Sequence, residues 1–133
     1  MTIRGTVNAL RYVQIPITLR GAGGKPDKTL DVLIDTGFDG ALSLPPALIA
    51  ELGLPYSRQV SSLTFSGEPV EFPSHDAIVV LGTYQQGVAC LGADIPPLVG
   101  MGLLDGFDLF IEIKDNGSVI LTRQLPQAEE ENL

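Results

Sequence analysis

The sequence predicts a mainly β protein, a barrel or sandwich carrying one or two short helices. Three observations carry this prediction. Short apolar, β-branched runs recur along the chain, turn residues separate almost all of them, and only two segments have helix-like punctuation. The alternating stretch RYVQIPITL (11–19) reads as a strand, GAGGKPDK (21–28) as a loop dense in Gly, Pro and Asp, and TLDVLID (29–35) as a second strand. These two strands should form a hairpin. ALSL (41–44) is a further short strand, and PPALIAELGL (45–54) reads as a helix with Pro at its start and Gly53 as its stop. RQVSSLTF (58–65), the tight SGEP (66–69) and VEFPSHDAIVVL (70–81) suggest a long hairpin with Ser66 and Gly67 near its tip. Pro69 and Pro73 lack an N–H, which confines that arm to an edge or to solvent. TYQQ (83–86) turns into the strand GVACL (87–91), and PPLVGMGLL (96–104) runs into a second short helix or turn. FDLFIEI (107–113), KDNG (114–117) and SVILT (118–122) make a last hairpin with an Asn-Gly turn.

Composition bounds what such a chain does. At 133 residues it is the size of one domain, expected over 1–124 and followed by an acidic tail at 125–133. Hydrophobic residues make up 44 % and charged residues 18 %, below the roughly 25 % charged of an average soluble protein, so the chain should be globular rather than disordered. The net charge of −8 argues against nucleic acid or an anionic membrane as partner, because both need a basic surface. No apolar run approaches the roughly 18 to 20 residues that span a bilayer, and MTIRGTVNAL lacks a signal peptide's apolar segment, so a cytoplasmic location is the expectation. Cys90 is the one cysteine, read as a small buried hydrophobe, and rules out an intrachain disulfide or a cysteine cluster for zinc. His75 is the one histidine and reads as a surface or turn residue. No serine sits on a recognisable nucleophile elbow that it would serve.

The segment TLDVLIDTGFDGALSLPP (29–46) holds the chemistry. An apolar strand delivers Asp35 to its end, beside a hydroxyl residue, Thr36, and a glycine, Gly37, that permits another segment to approach closely. That arrangement suits precise positioning of a carboxylate, although Asp and Gly at a strand end also simply build turns. The apolar VLID stretch should place Asp35 at the margin of the core, where desolvation raises a carboxylate's pKa.

Motif, order and spacing together resemble the retropepsin-like aspartic proteases, with DTGF spelled as in a bacterial and archaeal branch of that group. The resemblance covers roughly residues 8 to 122. It implies a closed β-barrel, one lobe of an acid protease per chain, with Asp35 catalytic and Thr36 and Gly37 in the active-site loop. Thr36 would brace that loop against its symmetry mate. Leu98-Val99-Gly100 would pack behind it, and the 58–72 hairpin would be a flap closing over bound peptide. Phe38, Asp39, Ser66, Gly67 and Val99 are the implied substrate-binding residues, with Phe38 and Val99 lining apolar pockets. The chain departs from the viral enzymes at Phe38, where a large ring could narrow the cleft, and at the flap tip, which is SGEP rather than glycine-rich. Met101 and Gly102 stand where Asp39 would usually find a basic partner.

Peptide hydrolysis by this chemistry needs two carboxylates sharing one proton around a water. The chain has one Asp-Thr-Gly; Asp39 and Asp105 also precede glycines, but neither follows a comparable strand with a hydroxyl residue between. The expected solution is a C2 homodimer with Asp35 of each copy at the axis, acting on a peptide or protein substrate without metal or organic cofactor. TIRGTVNAL and SVILTRQL are better candidates for a dimer sheet than the acidic tail. Two rival readings stand beside it: a noncatalytic homodimeric peptide-binding module, and a glycosidase using Asp35 and Asp39 as a carboxylate pair. The second is disfavoured because residues four apart across a turn have no fixed separation and the chain has no tryptophan for a sugar platform.

Overall fold

The computed structural model describes residues 1–63 and 66–124; residues 64 and 65 and the acidic segment 125–133 lie outside them. Among the described residues the chain runs β1 (Thr2–Val7), β2 (Val13–Leu19), β3 (Lys28–Ile34), β4 (Leu42–Leu44), α1 (Pro46–Leu52), β5 (Tyr56–Leu63), β6 (Pro69–Leu81), β7 (Tyr84–Gly92), β8 (Leu98–Val99), α2 (Met101–Leu104), β9 (Phe107–Ile111) and β10 (Ser118–Arg123).

Six of these strands close on themselves. β2 pairs with β3, β3 runs parallel to β8, β8 antiparallel to β4, β4 parallel to β7 and β7 antiparallel to β6. β6 then returns to β2 through Thr18↔Val80 and Leu19↔Val79. The result is a barrel, which abolishes edges around the ring and lets alternate residues fill its interior. Along β2 that alternation is plain: Ile15, Ile17 and Leu19 are buried while Pro16 faces solvent. Leu42, Leu44, Val79, Leu81 and Val99 complete the same core.

Helix α1 is shorter than its sequence signature by a residue at the start and two at the end. Pro46 opens it and Gly53 terminates it in the left-handed conformation (φ 65°), a backbone state that glycine adopts without strain. The loop before β3 is tied by Asp27, which accepts from the Gly21 amide and from Arg20 (both 2.9 Å). Those bonds hold the Asp27 carboxyl below the usual carboxylate range.

The chain's two ends meet within one sheet. TIRGTV forms β1, which pairs with β10 over Thr2↔Thr122 to Thr6↔Ser118 and touches β2 only at its end. Its strand signal is weak because Gly5 interrupts it; the Gln14 carbonyl comes so close to Gly5 that a Cβ there would overlap it. The two candidate dimer-sheet segments are paired with each other within the chain, and β9 covers the other side of β10. β5 and β9 are left as the ends of the strand order.

Cys90 lies fully buried in β7, as expected, and desolvation pushes its thiol up to about 12. Native protein should therefore resist alkylation at neutral pH, with the thiol becoming reactive only on denaturation; rapid labelling of folded protein would contradict this placement. His75 is not a turn residue. It is half-buried in β6, its Nδ1 3.1 Å from the Leu54 carbonyl and its ring edge-on to Tyr56 at 5.7 Å, so it seals the contact between the end of α1 and the base of the hairpin. No helix among the described residues is long and apolar enough to cross a membrane.

Candidate active site

β3 and β8 lie side by side in parallel, pairing Leu33 with Leu98 and Ile34 with Val99. Asp35 extends that ladder by one step, its amide donating to the Val99 carbonyl at 2.9 Å. The chain then reverses: Asp35 Oδ1 accepts from the Gly37 amide (2.9 Å), and the Asp35 carbonyl accepts from the Phe38 amide (3.2 Å). One carboxylate oxygen is thus used to fix the loop.

What holds the rest of the loop is the start of α2. The first amides of a helix have no partner within it. Here they donate to the loop: Gly100 to the Ala41 carbonyl (3.1 Å), Met101 to Phe38 (2.8 Å) and Gly102 to Gly40 (3.1 Å). This contact requires Gly100, because a Cβ there would lie 2.5 Å from both the Gly40 carbonyl oxygen and Phe38 Cδ2. Gly40 is equally constrained, since its Cβ would lie 2.7 Å from Phe38 Cε1. The Phe38 ring therefore does not simply project into a cleft. It sits partly buried over two glycines and still forms part of a cavity wall.

The loop separates two cavities. The larger, about 610 Å³, is lined by Gly37, Phe38, Asp39 and Gly40 on one side and by Val60, Ser61 and Ser62 of the β5 hairpin on the other. The smaller, about 300 Å³, is lined by Asp35 and Thr36 together with Arg11, Tyr12, Leu33 and Leu98. The expected site residues divide accordingly. Asp35, Thr36, Gly37, Phe38 and Asp39 are gathered at this loop, whereas Ser66 and Gly67 are exposed at the far end of the hairpin and line neither cavity.

Two expectations are corrected. Val99 lines neither of these cavities: its side chain is fully buried in the core, and strand alternation turns its neighbour Leu98 toward the smaller one instead. Asp35 is exposed in the single chain, so the apolar VLID strand does not by itself desolvate the carboxylate. Leu33 and Ile34 are only half-buried. Thr36 is also exposed, and its hydroxyl makes no hydrogen bond within the chain among the described residues. Leu98 was legible in principle, since only one of two adjacent strand residues can face the core. Nothing in the sequence marked Arg11. No cluster of three or more His, Cys, Asp or Glu that could hold a metal occurs among the described residues.

The structure is similar to the crystal structure of a retropepsin-like aspartic protease from Rickettsia conorii, with a TM-score of 0.57 over 95 % of this chain and 93 % of that one. The fold is retropepsin-like. Sequence identity over that match is only 17 %, and no family model and no curated protein matches the sequence, so the likeness is carried by architecture. On this retropepsin-like fold the Asp35 loop joins β3 to β4, and the β5–β6 hairpin stands over it. Pairing of β6 with β7 begins at Ser74↔Leu91, so residues 69–73 are strand-paired to β5 alone, as the two prolines led one to expect. Amides at 60–63 and 70–72 should exchange with solvent at least ~10²-fold faster than those of β2, and equal protection would contradict an independently mobile hairpin.

Proposed function

We propose that two copies of this chain form an aspartic endopeptidase, with one water held between the two Asp35 carboxylates. The observation that carries this reading is the state of Asp35: one oxygen is used to lock its own loop, the loop is clamped by the amides of Gly100, Met101 and Gly102, and the carboxylate still faces out of the chain. Such rigidity around an exposed charge is what preorganised chemistry needs and what a simple turn does not. The retropepsin-like architecture supports it, as does the pair of cavities that the loop separates.

A second copy supplies what one chain lacks. Two carboxyls at about 3 Å cannot both ionise, so the pair shares one proton and titrates as a unit. The ionised member takes a proton from the water, whose oxygen attacks the scissile carbonyl carbon while the protonated member donates to the carbonyl oxygen. Collapse of the resulting diol returns a proton to the amide nitrogen and breaks the C–N bond. Thr36 would meet its counterpart across the axis, and an extended peptide would cover Asp35 while its side chains enter the cavities beside Phe38 and Leu98.

The reading predicts that activity follows assembly. Specific activity on an unstructured peptide pool at mildly acidic pH should rise with protein concentration and plateau where sedimentation shows a dimer. A fully active monomer contradicts the shared carboxylates, and peptide binding by a dimer that releases no products identifies a noncatalytic binding module instead.

A further inference from the structure

We propose that Arg11 determines substrate specificity, its guanidinium selecting peptides that place an acidic side chain in the cavity it shares with Asp35 and Thr36. The inference deepens the peptidase reading and rests on it for the identity of the ligand as a peptide. Two non-glycine residues among those described have positive φ, Arg11 (66°) and Asn116 (60°). Asn116 belongs to the Asn-Gly turn before β10, where an Asn side chain tolerates that state; arginine has no such local advantage. An unfavourable backbone at a long basic residue persists only where the surroundings impose it.

The surroundings do impose it. Between β1 and β2 the chain folds around Asn8, whose Oδ1 accepts from both the Leu10 and Tyr12 amides (2.9 Å each). The Asn8 amide donates to the Tyr12 carbonyl (3.0 Å), and the Arg11 amide donates to the Asn8 carbonyl (2.9 Å). The loop is a braced support, and Arg11 sits on it at the wall of the cavity of about 300 Å³. One guanidinium nitrogen, Nη1, donates to the Ala9 carbonyl at 2.7 Å, which fixes the side chain near its own loop. No carboxylate among the described residues pairs with it.

Charge gives the direction of selectivity. Arg11 is the one basic residue lining either of the two cavities at the Asp35 loop, while the acids lining them are Asp35 and Asp39. On a chain of net charge −8, with Asp35 and Asp39 as the acids at the loop, an acidic side chain gains from the guanidinium what the rest of these two cavities does not offer. A planar guanidinium with donors to spare matches a carboxylate in a bidentate geometry that a neutral amide cannot reproduce. The larger cavity, with Phe38 and Asp39, offers no such partner.

The test uses the full chain and matched peptides bearing Glu, Gln or Lys at each position around the scissile bond. Wild type should cleave the Glu peptide about tenfold more efficiently at one position, the difference falling on KM rather than kcat. Arg11→Asn, which keeps a residue tolerant of the left-handed backbone, should reduce that preference to below about twofold, and Arg11→Glu should reverse it toward Lys. Binding of the same peptides to Asp35→Asn protein separates the two claims. Glu-selective binding that Arg11→Asn erases, with no cleavage by wild type, upholds Arg11 and defeats the peptidase. Cleavage or binding that never distinguishes Glu from Gln overturns the role of Arg11, as does a Glu preference that persists in Arg11→Glu. If Arg11→Glu instead dissociates a dimer and no Glu preference is found in wild type, the guanidinium serves a second copy of the chain and the proposal is wrong.

Discussion

Asp35→Asn should lower kcat/KM on an unstructured peptide by at least ~10³-fold, because the substitution leaves no ionised carboxylate to accept the proton of the attacking water. The change is isosteric. Asn Oδ1 can still accept from the Gly37 amide, the bond that Asp35 Oδ1 now makes at 2.9 Å, so the loop should keep its shape. Assembly and thermal stability should consequently stay close to wild type, which separates loss of chemistry from loss of fold. Peptide products should be read by mass spectrometry across pH 3 to 8, since a pair of carboxylates sharing a proton gives a bell-shaped profile. Undiminished turnover by the variant would remove Asp35 from the mechanism.

The second large effect belongs to Gly100. Its φ of −122° is ordinary backbone, so the glycine is needed for space and not for conformation. An added methyl would run into the Gly40 carbonyl and the Phe38 ring, and the atoms opposing it are largely backbone that cannot turn aside. Gly100→Ala should cost about 2–4 kcal/mol in stability, or push the 35–41 loop away from α2 and abolish turnover. Gly67→Ala offers a contrast. That position has φ 81° with nothing within 4 Å of where a Cβ would stand, so only backbone strain of roughly 1 kcal/mol is expected. Equal stability of the two variants in urea unfolding would contradict the packing of α2 against the loop.

The comparison of these two glycines shows where sequence reading succeeds and where it stops. Turn glycines are legible because their neighbours announce a turn, as Asn116-Gly117 and Ser66-Gly67 do. Gly100 was recognisable only as part of an apolar segment behind the loop; its reason is a contact with residues some sixty positions earlier, which local pattern does not encode. β2 and the Ala77–Leu81 end of β6 were legible because one face of each must fill the barrel, which writes a period of two into the chain. β1 was less so, since Gly5 breaks its alternation at a close approach to Gln14. At the site, the one-residue error of choosing Val99 over Leu98 follows from the same period: both are apolar, and only the register of β8 against β3 decides which faces inward. The burial of Asp35 was overestimated for a related reason. An apolar strand fixes where its last residue stands, but what covers that residue belongs to whatever meets the strand's end, and the single chain leaves it open.

Whether two Asp35 carboxylates, one from each of two copies, act together is tested most directly by mixing. Wild type and Asp35→Asn protein should be combined in equal amounts, allowed to exchange subunits, and compared with wild type alone at the same wild-type concentration. Random re-pairing places half of the wild-type chains opposite an asparagine, so activity should fall to about half and decline further as the variant is added in excess. Activity that stays constant at every ratio, in mixtures shown to have exchanged, would mean that each chain works with its own Asp35 alone.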